Sequence, residues 1–191
     1  MPPTEVLVCD AVGFEALLDD LARRIVETRR PGVPIALVGV RTRGVPIAER
    51  LAAKIDEPIL VGALDITLYR DDLGEIDHWP VLRGTEIPFA VDAMDIVLVD
   101  DVLFTGRTIR AALNAICDLG RPARVRLVAL VDRGHREIPI HADAIGLEIA
   151  TDWTENIKVR VRPIDPVDEI VRATRPADFT PPADLALGDE R

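Results

Sequence analysis

The sequence predicts an α/β fold in which a mostly parallel, twisted sheet is flanked by helices on both faces. Segments with the spacing of a strand alternate with segments with the spacing of a helix through the middle of the chain. Several strand segments are continuously apolar, as parallel strands buried on both faces are. The chain has 191 residues, of which 48% are hydrophobic, so it is long enough for one domain with a substantial core.

The first half of the chain predicts two helices and two strands. Apolar residues recur at helical spacing over residues 13–28, and the segment 29–32, which contains a proline and a glycine, ends that helix. Residues 35–40 form a short apolar run that predicts a buried strand. Helical spacing resumes after Gly44, and residues 61–69 predict the next strand.

Residues 71–90 interrupt this regular pattern. Glycines, prolines and paired aspartates break any helical or strand period there. A connection of this length inside a compact domain is usually functional or mobile.

The second half of the chain returns to strands and helices. Residues 95–100 predict a strand, and Ile109 begins a helical pattern that Gly120 is placed to end. Residues 125–131 are apolar enough for a central strand. We expect residues 132–155, which are charged and lack a period, to be irregular.

The end of the chain predicts one more strand and a tail. Apolar and basic residues alternate over residues 157–161, which indicates a half-exposed strand. Proline and charge dominate from Pro176 onward. We therefore expect one domain over residues 1–175 and a disordered tail over residues 176–191.

Composition narrows the class of protein. The net charge is −10, from 33 acidic and 23 basic residues, which argues against non-specific binding to nucleic acid. No apolar stretch is long enough for a membrane span, and the N-terminus does not resemble a secretory signal. The two cysteines and three histidines have no metal or redox spacing, so we expect a cytoplasmic protein with buried thiols.

The most informative motif is IVLVDDVLFTGRT at residues 96–108. An apolar strand ends there in two carboxylates, Asp100 and Asp101. A turn with Thr105 and Gly106 follows, and then a helical pattern begins at about Thr108. A helix N-terminus with open backbone N–H groups is a ready anion site, and carboxylates can accept hydrogen bonds from sugar hydroxyls. The motif therefore indicates a site for a ribose 5-phosphate.

The same motif resembles the phosphoribosyl pyrophosphate (PRPP) motif of type I phosphoribosyltransferases. Three further segments and their spacing narrow the resemblance: RTRGVPIAERLA at 41–52, LDITLYRDDL at 64–73 and GRPARVRLVALVDRGHREIPI at 120–140. Together they are similar to the PyrR family, pyrimidine operon regulators that double as uracil phosphoribosyltransferases. The resemblance covers roughly residues 12–162, most of the chain.

The resemblance implies a reaction and an architecture. Uracil and PRPP would give UMP and pyrophosphate, with Mg²⁺ held mainly by PRPP and no direct metal ligand from the protein. The fold would be that of type I phosphoribosyltransferases, with a small hood mainly within 132–162 and a mobile flap at 70–90. The family also implies a homodimer or higher oligomer, and UMP-dependent binding to the leader mRNA of a pyrimidine operon that attenuates transcription.

The resemblance also assigns roles to individual residues. Asp100 and Asp101 would hold the ribose hydroxyls, the loop 103–108 would wrap the 5′-phosphate, and Arg43 would assist catalysis with the two aspartates. Arg133 and Arg136, in the hood, would contact uracil. The implied PRPP and nucleotide site consists of Thr42, Arg43, Arg70, Asp100, Asp101, Val102, Leu103, Phe104, Thr105, Gly106, Arg107 and Thr108.

Phe104 favours a pyrimidine substrate. Purine-specific relatives place an acidic residue at this position, suited to proton transfer with the base, and a phenyl ring cannot serve in that way. Two departures from the family pattern remove positive charge: His141 replaces an arginine, and the segment 146–148 lacks the usual lysine.

Three functions remain open on the sequence: a uracil phosphoribosyltransferase, a weakly catalytic or non-catalytic regulator that senses UMP and binds RNA, and a phosphoribosyltransferase for another base. An RNA-binding regulator would require basic residues to gather on one surface. The candidates for that surface are Arg23, Arg24, Arg29 and Arg30.

Overall fold

The structure is a computed structural model, and it describes residues 4–66 and 84–174. These residues form eight strands: β1 Glu5–Cys9, β2 Ile35–Val40, β3 Leu60–Leu64, β4 Asp95–Leu103, β5 Arg124–Asp132, β6 Ala144–Glu148, β7 Glu155–Arg160 and β8 Glu169–Thr174. They also form three helices: α1 Ala11–Glu27, α2 Gly44–Ala53 and α3 Arg107–Leu119.

The main sheet has five parallel strands in the order β3-β2-β4-β5-β6. Successive residues of β4 face opposite sides of this sheet, as the period of a strand requires. Val97 and Val99 pack with the apolar faces of α1 and α2, whereas Ile96 and Leu98 pack with that of α3. The main sheet is therefore covered by helices on both faces, and the fold class predicted from the sequence is confirmed.

A second, smaller sheet is antiparallel and has the strand order β1-β8-β7. Apolar residues of β7 and β8, such as Ile157 and Ile170, join the same core as α1 and α2. The strand expected at residues 157–161 is confirmed as β7, but β1 and β8 were not predicted. The hood expected within 132–162 stays a prediction; only β7 of this smaller sheet falls in that range.

The prediction that residues 132–155 are irregular was wrong for β6. This strand pairs in parallel with β5, with Val128 opposite Ala144, and extends the main sheet by one strand. A Cβ atom at Gly146 would lie 2.7 Å from the carbonyl oxygen of Leu130, so the glycine permits the close approach of the two strands. The short sequence AIGLE has no clear period because only Ala144 is buried.

Several predictions lie outside the described residues. Arg70, most of the flap expected at 70–90 and the tail expected at 176–191 belong to the segments 67–83 and 175–191. The limits of a single domain therefore stay a prediction. Among the described residues, no helix is long and apolar enough to cross a bilayer.

Candidate active site

The carboxyl ends of the parallel strands meet at one edge of the main sheet, where ligands of such sheets bind. Thr42 follows β2, Asp65 follows β3, and Asp100 and Asp101 lie near the end of β4. A cavity of about 400 Å³ opens at this edge; it is lined by Arg41, Thr42, Asp65, Ile66, Asp100, Asp101, Val102 and Thr108. The structure thus brings the predicted carboxylates and Thr108 into one cavity.

The loop between β4 and α3 has the conformation of an anion-binding turn. Gly106, which precedes α3, is left-handed, with φ +92°, and the N–H of Arg107 donates a hydrogen bond of 3.4 Å to Oγ1 of Thr105. The carbonyl oxygen of Thr105 accepts hydrogen bonds from the backbone N–H groups of Glu137 and Ile138, at 3.0 and 3.2 Å. The loop is therefore held through its carbonyl groups, while the positive end of the α3 dipole and the remaining N–H groups of its first turn suit an anion.

The two aspartates lie in a low-dielectric setting. Asp100 is 5% exposed, and burial raises its pKa well above the usual value, with the charge of Asp101 acting in the same direction. Burial also raises the pKa of Asp101, although the nearby Arg43 opposes that rise. Two carboxyl groups that water reaches poorly are suited to accept hydrogen bonds from the hydroxyl groups of a ligand.

The segment between β2 and α2 lies close to β4 because of a glycine. A Cβ atom at Gly44 would lie 2.4 Å from the carbonyl oxygen of Val99, so a larger residue would push α2 away from the strand. The peptide bond that joins Arg41 to Thr42 is cis. This close packing carries Thr42 to the cavity that Asp101 lines.

Arg43 is held by a residue that sequence reasoning missed. Its guanidinium donates two hydrogen bonds to Asp165, both of 2.9 Å. The hydrogen bonds to Asp165 raise the pKa of Arg43, and those from Arg43 lower the pKa of Asp165. No local pattern signals this contact, because the two residues are 122 positions apart.

Comparison with known proteins decides the family. The model of the phosphoribosyl transferase domain matches residues 10–160. A protein of Deinococcus deserti is 47% identical over 173 residues, which cover 88% of this chain and 93% of that protein. A protein of Chloroflexus aurantiacus is 54% identical over 151 residues, covering 76% of this chain and 83% of that one. Both carry the name bifunctional protein PyrR. This chain belongs to the PyrR family of phosphoribosyltransferases.

Solved structures of low sequence identity agree with this fold. A hypoxanthine-guanine phosphoribosyltransferase from Bacillus anthracis superposes with a TM-score of 0.67 at 13% identity, over 88% of this chain and 96% of that chain. A hypoxanthine phosphoribosyltransferase from Trypanosoma cruzi gives a TM-score of 0.68 at 17% identity, over 89% and 95%. The family and the type I phosphoribosyltransferase fold predicted from the sequence are confirmed.

The two hood arginines expected to contact uracil serve the protein's own framework in this structure. Arg133 is 2% exposed and donates to Oδ1 of Asn156 at 2.9 Å and to the carbonyl oxygen of Glu155 at 2.7 Å. Its guanidinium also lies over the ring of Phe104, 4.3 Å from the centroid. Arg136 donates to the carbonyl oxygen of Phe104 and pairs with Asp132. Direct contact of either arginine with the base stays a prediction.

A second cavity adjoins the first at Asp101. It has a volume of about 320 Å³ and combines one wall of β7 with the pair formed by Arg43 and Asp165. Its lining consists of Arg43, Asp101, Asn156, Ile157, Lys158, Val159, Arg160 and Asp165. A ligand whose sugar occupied the first cavity could therefore extend a neighbouring group into the second.

Within residues 4–66 and 84–174, no group of three or more His, Cys, Asp or Glu side chains is placed to hold a metal ion. Oxygen donors do surround the first cavity, where Asp65, Asp100 and Asp101 share the lining. Mg²⁺ prefers oxygen ligands and is often bound through one or two carboxylates together with substrate phosphates. The donors present therefore fit a magnesium ion that arrives with a pyrophosphate group.

Proposed function

We propose that the protein transfers the ribose 5-phosphate of PRPP to uracil, which yields UMP and pyrophosphate. One observation carries this proposal: the buried carboxyl group of Asp100 and the half-buried one of Asp101 share a cavity with the N-terminus of α3 in a chain of the PyrR family. Ribose 5-phosphate carries a diol at C2′ and C3′ and a phosphate at C5′, and such a site would bind both groups of that one ligand.

The ribose 5-phosphate would be held at both ends. The 5′-phosphate would lie at the loop 103–108, where it accepts hydrogen bonds from backbone N–H groups and from the hydroxyls of Thr105 and Thr108. The 2′ and 3′ hydroxyls would donate to Asp100 and Asp101. Holding both ends fixes C1′ toward the second cavity, and such orientation is a large part of catalysis.

Departure of pyrophosphate leaves positive charge on the ribose ring, in a transition state of oxocarbenium character. Asp100 and Asp101 would place negative charge near that ring. Thr42 and Arg43 would receive the departing pyrophosphate, as the resemblance to the family implies. When bound, Mg²⁺ supplies positive charge that stabilises the leaving group.

Phe104 supports a pyrimidine as the acceptor base. It follows β4 within the phosphate loop and packs edge-on against the rings of His135 and Trp153, at centroid distances of 5.8 and 5.4 Å. A phenyl group at this position accepts no proton from the base. This is consistent with uracil, for which the loop offers no dedicated acid or base.

The test is formation of UMP from uracil and PRPP in the presence of Mg²⁺, followed by the change in ultraviolet absorbance. We expect turnover with uracil and much less with hypoxanthine or guanine. Folded protein that makes no UMP under these conditions would reject the proposed activity.

We propose in addition that the protein binds the leader mRNA of a pyrimidine operon when UMP is bound. The relatives' name, bifunctional protein PyrR, favours a second role. The arginines of α1 do not support that helix as the contact surface, because Arg23 pairs with Asp20 and Glu27. Arg29, just beyond α1, pairs with Glu57. Arg24 pairs with Asp20, and Arg30 is the one candidate without an ion pair among the described residues, so this surface offers RNA phosphate little net positive charge.

A gel-shift experiment with the leader RNA of the organism's own pyrimidine operon, with and without UMP, tests the regulatory role. A UMP-dependent shift supports it, and the same mobility in both lanes contradicts it. The neutral substitution Arg23→Gln should leave a UMP-dependent shift unchanged, since Arg23 already pairs with Asp20 and Glu27.

Self-association into a homodimer or larger assembly is also proposed. The strand β1 lies at an edge of the smaller sheet and exposes Val6 and Leu7 at 57% each. Exposed apolar residues on an unpaired strand edge are typical of a contact with another chain. Light scattering after gel filtration should give at least twice the 21.0 kDa of one chain; a monomer would contradict the proposal.

A further inference from the structure

We propose that Asn156 recognises the base by donating a hydrogen bond from its amide nitrogen, Nδ2, to a carbonyl oxygen of uracil. We further infer that Arg133 is a positioning residue, which fixes the orientation of this amide without touching the base. Both inferences rest on the proposed uracil phosphoribosyltransferase activity, and they assign the base-recognition role to a residue that the sequence motifs do not single out.

The location of Asn156 follows from the two adjoining cavities. The base becomes bonded to C1′, next to the carbon that carries the 2′ hydroxyl. With the diol held by Asp100 and Asp101, the two groups exchanged at C1′, the base and the pyrophosphate, both lie in space that borders this pair. The second cavity borders the first at Asp101, and Asn156 lines it from β7.

The orientation of the Asn156 amide is set by Arg133. A guanidinium group carries only donors, so the atom of Asn156 that it contacts at 2.9 Å must be the oxygen, Oδ1. Arg133 is itself fixed by Thr151 at 3.2 Å, by the carbonyl oxygen of Glu155 and by the ring of Phe104. The amide nitrogen of Asn156 is consequently directed away from Arg133, and no described residue accepts a hydrogen bond from it.

The chemistry of the remaining lining favours this donor. Lys158 pairs with Glu5 at 2.9 Å, Arg160 pairs with the same carboxylate at 2.6 Å, and Arg43 pairs with Asp165. Among the described residues that line this cavity, Asn156 is the one uncharged polar side chain. Uracil presents two carbonyl acceptors, and a neutral donor can satisfy one of them without the desolvation penalty of a charge.

Two substitutions separate a donor from a structural residue. Asn156→Ala removes the donor and leaves space, whereas Asn156→Asp keeps the shape and the contact with Arg133 but presents a carboxylate oxygen to the uracil carbonyl. We expect kcat/KM for uracil to fall about 10-fold for Asn156→Ala and about 100-fold for Asn156→Asp. The KM for PRPP should stay within about twofold of the wild-type value, because the ribose phosphate site is untouched.

The decisive readout is which of the two variants has the lower kcat/KM for uracil. A residue that merely supports β7 would tolerate the isosteric Asp better than Ala, so Asn156→Asp more active than Asn156→Ala would overturn the proposal. Asp56→Asn is the matched control, because it exchanges acid for amide at an exposed position that lines neither active-site cavity. It should retain wild-type kinetics with uracil.

A double-mutant cycle tests the role of Arg133. Arg133→Lys keeps the charge but loses the planar fork that orients the amide, so we expect the KM for uracil to rise about fivefold. In the Asn156→Ala background the same substitution should have no further effect on that KM. Independent, multiplicative losses would show that Arg133 does not act through Asn156.

The experiments distinguish a failure of this inference from a failure of the proposed function. Wild-type protein that makes no UMP would reject the activity itself. Active wild-type protein, together with Asn156→Ala and Asn156→Asp variants that both keep wild-type kinetics, would reject the role of Asn156 alone.

Discussion

Arg43 donates both of its hydrogen bonds to Asp165 at 2.9 Å, which ties the N-terminus of α2 to the connection between β7 and β8. Asp165 in turn accepts a hydrogen bond from the backbone N–H of Val161 at 3.0 Å. The guanidinium is thereby held at the cavity that Asp101 also lines. A cation fixed in this way is placed to meet a departing pyrophosphate without first losing side-chain entropy.

Asp165→Asn should raise the KM for PRPP about 10-fold while the KM for uracil changes little. The reason is that the amide has one acceptor oxygen where the carboxylate has two, so the bidentate pair is lost and the guanidinium loses its fixed orientation. Steady-state kinetics with each substrate varied in turn measures both constants.

Asp168→Asn is the matched control for that experiment. Asp168 lies in the same connection and pairs with Arg50 at 2.9 Å, but neither residue lines either active-site cavity. Similar rises of the PRPP KM in both variants would show that the connection acts through its stability and not through Arg43.

Asp100→Asn should stabilise the protein in the absence of ligand at neutral pH. Burial raises the pKa of Asp100 above the value in the unfolded chain. Native stability is therefore greatest below the unfolded pKa and is lost as pH rises through the folded pKa, where the buried carboxyl must ionise. Asparagine resembles the protonated acid and avoids that loss.

Thermal unfolding across pH checks this prediction. The gain of Asp100→Asn over wild type should grow from acid toward neutral pH, whereas the control Asp56→Asn, at an exposed position, should give no such gain. If Asp100→Asn stabilised the protein at acid pH and not at neutral pH, the result would contradict this prediction. The same Asp100→Asn variant should lose PRPP turnover, as residues tuned for function often cost stability.

Asp101→Ala should impair the use of PRPP by about 10- to 100-fold in kcat/KM and leave the fold intact. Asp101 lies beside the cavity near the end of β4, where its carboxylate contributes to no apolar core. Calorimetry with PRPP, together with circular dichroism, separates binding from folding. A variant that unfolds yet keeps normal kinetics while folded would show that the residue is structural.

Gly106→Ala should weaken PRPP binding and cost about 1–2 kcal/mol of stability, because an L-residue is strained at φ +92°. The nearest atoms to the added Cβ lie at 3.5 Å, so the strain is conformational and not a clash. Gly32→Ala provides the control, since Gly32 has φ +76° in open space in the turn before β2. It should lose similar stability and bind PRPP normally; equal loss of PRPP binding in both would contradict the loop assignment.

Features encoded within a few consecutive residues were predictable from the sequence. The central strands and the helices follow from apolar spacing, because their faces are buried in the core. The two aspartates, Asp100 and Asp101, and the turn at Gly106 could also be predicted together, because they belong to one motif at residues 96–108.

Features that depend on distant parts of the chain were missed. β1 pairs with β8 although the two strands lie near opposite ends of the chain, and no local pattern encodes such a pairing. The contact of Arg43 with Asp165 is of the same kind. Arg133 donates hydrogen bonds to Asn156 and to the carbonyl of Glu155, more than 20 positions away, and no local pattern signals these contacts; its contact with the base stays a prediction.

A crystal structure with bound UMP tests the central claim most directly. It should show the 5′-phosphate at the backbone N–H groups of residues 105–108 and the ribose hydroxyls within hydrogen-bond distance of Asp100 and Asp101. A UMP molecule bound with its phosphate away from the N-terminus of α3, or with its diol remote from both aspartates, would contradict the assignment of the site.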